Sequence, residues 1–209
     1  MPERLSEHEP GYLHQPSSSP EAGVLLTHGA GGNARAPLLC ALAESLCTHG
    51  FTVLRYDLPF RQQRPFGPPS PHSAEADRKG LREAAAHLRR SGIYRVYLGG
   101  HSYGGRQASI LAAEEPEITN GLLLLSYPLH PPNKPETPRT AHFPNLRTPA
   151  LFVHGSKDPF ATEQELHAAL KLIPARTEVL TFANVGHDLK ARNADVAETV
   201  TSAFLRFLS

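Results

Sequence analysis

Short apolar runs separated by longer amphipathic stretches recur along the whole chain, and they restrict what it can fold into. The runs at 24–27, 51–56, 94–98, 122–125, 150–153 and 177–182 are of strand length and mostly apolar. Between them apolar residues return at helical spacing: Leu39, Leu42 and Leu46, then Leu81, Ala85 and Leu88, and finally Val196, Val200, Phe204 and Leu208. Strands that read as continuous runs are buried on both faces, as in a parallel sheet covered by helices on each side. The pattern therefore predicts an α/β fold, a mostly parallel sheet of six or seven strands with helices on both faces. Helices are expected at 74–91, 106–113 and 162–172. Residues 22–209 read as one domain, preceded by a partly irregular segment over 1–21. The stretch 59–71 reads as a loop. The connection at 128–149 holds seven prolines, which keeps it extended and argues against a separate lid domain.

Composition narrows the function. With 209 residues and a net charge of +1, nothing calls for nucleic acid or an anionic membrane as partner. No apolar run approaches the ~18 residues that span a bilayer. The N-terminus lacks the apolar core of a secretory signal, so a cytoplasmic location is expected. Cys40 and Cys47, if helical, stand about 10 Å apart along the axis at ~1.5 Å per residue, too far for a disulfide. Twelve histidines raise the question of metal, but no pair has His-x-x-x-His spacing and there is no Cys-x-x-Cys. No metal and no cofactor are expected. The expected partner is a small-molecule substrate, and the protein is expected to be a monomer or homodimer.

In open sheets of this kind, chemistry gathers at the carboxyl ends of the strands. After the run at 94–98 stands Gly100-His101-Ser102-Tyr103-Gly104, the pattern Gly-x-Ser-x-Gly between a strand and a helix. Such a serine sits on a strained turn, where side chains on the flanking glycines would clash. A serine nucleophile needs a base, and the base needs an orienting acid. His187 follows the run at 177–182 and Asp158 follows the run at 150–153. The order Ser102, Asp158, His187 is that of an α/β-hydrolase. Asp188 and Asp57 are weaker candidates for the acid. The oxyanion donors are expected to be the N–H groups of Tyr103 and Ala30, the latter in His28-Gly29-Ala30-Gly31-Gly32, with Gly31 as the alternative to Ala30 and a residue that borders the substrate.

That glycine loop also fits a dinucleotide fingerprint, Gly29-Ala30-Gly31-Gly32-Asn33-Ala34, with Asp57 as the acidic residue. Asp57 is far for that role, however, and no Tyr-x-x-x-Lys pair is present. A nucleotide-binding oxidoreductase is thus the remote alternative.

Together these residues resemble the α/β-hydrolases over nearly the whole chain. The closer resemblance is to small dienelactone-hydrolase-like proteins and to the testis-expressed protein 30 and NSL-complex subunit 3 group. It is carried by 26–32, 100–106 and above all Leu125-Ser126-Tyr127-Pro128-Leu129-His130-Pro131-Pro132. The resemblance implies a Ser-His-Asp hydrolase fold without naming a substrate. It also leaves a non-catalytic interaction module on that fold as an alternative. Dienelactone hydrolases carry cysteine as nucleophile, so their substrate does not transfer to a chain with serine there. The expected activity is hydrolysis of an ester or thioester. Candidate substrate contacts are Arg61 and Arg64, suited to a carboxylate, with Tyr127, His130 and Phe160 lining the pocket.

Overall fold

The computed structural model describes residues 3–4, 11–17, 20, 22–191 and 195–209. Its strands are β1 (Glu3–Arg4), β2 (Gly11–His14), β3 (Ala22–Thr27), β4 (Phe51–Tyr56), β5 (Arg95–His101), β6 (Leu122–Leu125), β7 (Ala150–Gly155) and β8 (Thr177–Phe182). Its α-helices are α1 (Pro37–Thr48), α2 (Pro59–Gln63), α3 (Ser73–Arg90), α4 (Tyr103–Glu114), α5 (Glu163–Leu170) and α6 (Val196–Leu208). The strands form one sheet in the order β1-β2-β4-β3-β5-β6-β7-β8. From β4 to β8 every neighbouring pair is parallel, whereas β2 joins β4, and β1 joins β2, antiparallel. Seven strands make the body of the sheet, as expected, and the two-residue β1 extends its edge.

Alternation along the strands splits the core in two. Leu25, Leu98, Leu122, Leu124 and Phe152 face one side, where Leu81 and Leu88 of α3, Leu111 of α4 and Leu166 of α5 cover them. Val24, Leu26, Leu123, Leu125 and Val153 face the other, under Leu39, Leu42 and Leu46 of α1 and Val200 and Phe204 of α6. Successive strand residues point to opposite faces, so a run such as Leu122–Leu125 feeds both cores and must be apolar throughout.

Two features differ from the expectation or extend it. Residues 59–63, read as loop, form the short helix α2, started by Pro59 at its first turn. Its Phe60 N–H donates to the buried carboxylate of Asp77 on α3 (3.0 Å). Gly80, inside α3, makes room for this docking. A Cβ there would lie 2.6 Å from Pro59 Cγ and 2.7 Å from the Tyr56 hydroxyl. The N-terminal segment also contributes to the sheet. Arg55 donates through Nε to His14 Nε2 (2.8 Å), tying β2 to β4. That contact requires a neutral imidazole.

Cys40 and Cys47 are unlinked and half-buried on α1. Among the described residues no helix is long and apolar enough to cross a membrane.

The Gly80→Ala variant, ordinarily favourable inside a helix, is expected to lower stability by about 1–3 kcal/mol because the added methyl overpacks against Pro59 and Tyr56. Urea denaturation measures this. Burial, reinforced by the Arg55 charge, lowers the His14 pKa from 6.5 to about 4. Between those values the unfolded chain binds more protons than the folded one. The His14 contribution is therefore complete above pH 6.5 and is lost as pH falls towards 4. Unfolding free energies measured at successive pH values should fall over this window, and the slope should be shallower in His14→Gln.

Candidate active site

Ser102 stands where β5 ends and α4 begins, with φ of 50° and ψ of −114°. A non-glycine residue in such a region costs on the order of 1–3 kcal/mol and is held there by its surroundings. Here the surroundings are close crossings of backbone. A Cβ on Gly100 would meet Thr27 Oγ1 at 2.5 Å, and one on Gly104 would meet the His28 carbonyl at 2.6 Å. Only glycine lets the end of β3 lie this near the start of α4. This is also the topological switch point, because the chain steps from β3 outward to β4 and then returns to place β5 on the opposite side.

Three backbone hydrogen bonds step across the carboxyl edge of the sheet. Ser102 N–H donates to Leu125 O (2.8 Å), Ser126 N–H to Val153 O (2.8 Å) and Ser156 N–H to Phe182 O (3.0 Å). They set the heights of the loops that leave β5, β6 and β7. Lys157 N–H then donates to Val185 O (2.9 Å), joining the loop after β7 to the loop after β8.

The side chains meet on that frame. Ser102 Oγ lies 2.8 Å from His187 Nε2, and His187 Nδ1 lies 2.8 Å from Asp158 Oδ2. The Asp158 side chain is fully shielded, and its other oxygen accepts from Phe160 N–H (2.9 Å). A carboxylate only accepts, so Nδ1 carries the ring proton and Nε2 is left to accept from serine. Phe160 covers the imidazole, its ring centroid 4.3 Å from that of His187. Asp188 turns away to Lys190 (3.2 Å). Asp57 accepts from Ala34 N–H (2.6 Å) and approaches His28 instead of His187.

Two neighbours were not singled out from the sequence. His101, within the Gly-x-Ser-x-Gly pattern itself, has its Nε2 2.7 Å from the His187 carbonyl. Burial lowers its pKa, which keeps it neutral and donating to that carbonyl. Asp77 is wholly buried on α3 and accepts from the Tyr103 hydroxyl (2.7 Å) as well as from Phe60 N–H. Burial raises the Asp77 pKa, while its hydrogen bonds act the other way. A buried aspartate one helix away leaves no motif in the sequence.

Tyr103 is the first residue of α4, where the backbone N–H has no intrahelical acceptor. Ala30 and Gly31 lie in the loop after β3, whose Gly29 has Ser102 Cβ 3.4 Å from the position of its own Cβ, and nothing crowds the position of a Gly31 Cβ. Arg61 requires a correction to its expected role. Its guanidinium is spent on backbone carbonyls: Nε donates to Gly32 (2.8 Å), Nη2 to Ala30 (2.8 Å) and Gly67 (2.9 Å), and Nη1 to Arg64 (3.1 Å). With four donations of five possible, Arg61 braces the glycine loop and has little left for a substrate carboxylate. Arg64 is exposed, and its guanidinium folds back onto the Pro68 carbonyl. Tyr127 is also displaced from its expected place. It is buried among Phe143 and Phe152, with its hydroxyl donating to Arg139 O (3.0 Å). Buried His130 faces Pro131 O (2.7 Å) and Glu165 (3.4 Å).

A mostly parallel sheet with a strained serine at its switch point defines an α/β-hydrolase fold. A family model described as an alpha/beta hydrolase domain matches residues 20–204, and the chain belongs to that family. Among solved structures it is similar to Est1E from Butyrivibrio proteoclasticus, at 19% identity and a TM-score of 0.76, with 95% of this chain and 93% of that one covered. It is similar to a dienelactone hydrolase from Anabaena variabilis, at 21% identity and a TM-score of 0.76, covering 94% and 90%. A third is a lidless α/β serine hydrolase from Xanthomonas campestris, at 16% identity and a TM-score of 0.71, covering 94% and 88%. At these identities the likeness is one of fold.

Removing the Arg61 brace leaves several carbonyls without donors. Arg61→Ala is expected to destabilise the protein by about 2–4 kcal/mol, read from denaturant midpoints, with a matching fall in thermal midpoint.

Proposed function

We propose that this protein is a serine-dependent hydrolase of an ester or thioester that works through an acyl-enzyme. The observation that carries the reading is the unbroken chain from Ser102 Oγ through both nitrogens of His187 to the shielded carboxylate of Asp158, with 2.8 Å at each link. Ser102 Oγ attacks the carbonyl carbon while its proton passes to His187 Nε2. Asp158 holds the imidazole in the accepting tautomer and stabilises the imidazolium that forms. The carbonyl oxygen, now negative, is received by the N–H groups of Tyr103 and Ala30, aided by the amino end of α4. His187 returns the proton to the leaving alcohol or thiol. Water then attacks the acyl-enzyme with the same base, and Ser102 is released.

Supporting context comes from neighbours of similar fold, one of them solved as Est1E with ferulic acid bound. The same reading places this chain near the testis-expressed protein 30 and NSL-complex subunit 3 group, through 125–132, and expects a small-molecule substrate in the cytoplasm.

Intact-mass measurement after treatment with a small fluorophosphonate tests the reading. One adduct, mapped to Ser102, is expected, with none in Ser102→Ala. The same substitution should reduce ester turnover by at least about 10⁴-fold. A folded protein that takes no adduct would sink the proposal.

A further inference from the structure

Asp77 is completely buried on α3, and the triad does not use it. Carboxylates are rarely buried so fully, and burying one adds little stability on its own account. Its two oxygens serve different elements. Oδ1 accepts from Phe60 N–H (3.0 Å) in α2, and Oδ2 accepts from the Tyr103 hydroxyl (2.7 Å) at the start of α4. Gly80, three residues further along the same face of α3, admits Pro59 and Tyr56 at close range. This face of α3 is therefore shaped to receive α2.

Each contact of Asp77 leads to one of the two N–H groups proposed above to receive the oxyanion. Tyr103 directly follows Ser102 and opens α4, so its N–H has no intrahelical acceptor. A tyrosine side chain has only two free torsions. Pinning its hydroxyl on Asp77, and its ring edge-on against Phe60 with centroids 5.6 Å apart, also locates its backbone. On the other branch Phe60 is followed by Arg61, which donates to Ala30 O and to Gly32 O (2.8 Å each). Leu58, two residues before Phe60, donates its N–H to His28 Nε2 (3.1 Å). The segment 58–61 thus holds the loop after β3 at His28, Ala30 and Gly32, and Asp77 holds that segment.

We propose that Asp77 is a positioning residue for the oxyanion hole: it fixes the Tyr103 N–H through the tyrosine side chain and the Ala30 N–H through α2, so that both donors are set against one carboxylate. This rests on the hydrolase reading above and adds to it a buried group that acts only through others. Oxyanion donors work when they are held where the charge develops. Displacing them weakens the transition state more than it weakens binding of the uncharged ester, so the loss falls on kcat and spares KM. A carboxylate suits the task because it accepts two charge-assisted hydrogen bonds in fixed directions.

Two substitutions test this. Tyr103→Phe removes the hydroxyl and leaves the ring and the backbone N–H, and Asp77→Asn keeps the side-chain shape without the charge. For each, kcat and KM are measured with 4-nitrophenyl hexanoate. Inhibition constants are measured for pentyl trifluoromethyl ketone, which an active serine converts to a tetrahedral oxyanion, and for pentyl methyl ketone, which binds as the uncharged carbonyl. In each variant kcat should fall about 10–100-fold, with KM within about threefold of the wild type. Inhibition by the trifluoromethyl ketone should weaken about tenfold or more, and by the methyl ketone less than about threefold. The double variant should be no slower than Asp77→Asn alone, because both changes break the same bond. Circular dichroism melts verify folding, and where Asp77→Asn does not fold, Tyr103→Phe carries the kinetic test.

A folded Tyr103→Phe with wild-type kcat would overturn the proposal and leave the hydrolase intact. Equal weakening of both ketones, which a generally loosened site would give, would overturn it as well, and so would effects that multiply in the double variant. A folded wild type inert to fluorophosphonate would remove the hydrolase reading and this role of Asp77 with it.

Discussion

The relative height of the loops at the carboxyl edge depends on the three-step ladder Ser102 to Leu125, Ser126 to Val153 and Ser156 to Phe182. Each bond is ordinary, worth only about 0.5–1.5 kcal/mol net. Their effect is geometric. Each fixes where one strand stops relative to the next, so the loops bearing serine, acid and histidine depart from a common frame. The chain then leaves the sheet abruptly, and both Ser102 and Ser126 adopt positive φ to do so. Strain at these turns is sustained because the strands on either side are buried in two cores and cannot relax it.

The elbow and the glycine loop are held by groups that do not touch the proposed reaction centre. Asp77 accepts from Phe60 N–H and from the Tyr103 hydroxyl, so one buried carboxylate joins α2 to the start of α4. Arg61, one residue past Phe60, grips the Ala30 and Gly32 carbonyls. A continuous path therefore runs from Tyr103 through Asp77 and α2 to the loop after β3, the two places from which oxyanion donors are proposed. Burying a charge at each node is expensive, and each is satisfied by several hydrogen bonds, the condition under which such groups are retained.

The sheet was legible because parallel strands buried on both sides must be apolar at every position, a one-dimensional signal. Ser102, Asp158 and His187 were legible as residues placed directly after strands, in an order that makes chemical sense. What was not legible depends on contacts between distant segments. Helix α2 is a proline-rich stretch that folds only because Gly80 and Asp77, on a different helix, receive it. An arginine in such a stretch reads as a ligand for anions, and its burial against four carbonyls is visible only once the loops are folded together. Tyr127 follows a strand and reads as a pocket residue, yet Phe143 and Phe152 claim it for the core.

The same reasoning explains how a connection over 128–149 can be ordered without a lid. Proline denies it regular helix, apart from the short turn Phe143–Asn145, and leaves its carbonyls to be matched individually. The structure meets this with side chains pointing inward. Tyr127 donates to Arg139 O, Arg139 to Pro128 O (3.5 Å), and Phe143 and Leu146 are buried. A loop anchored this way packs onto the domain as an extension of its core. It has no separate core of its own with which to swing away from the domain.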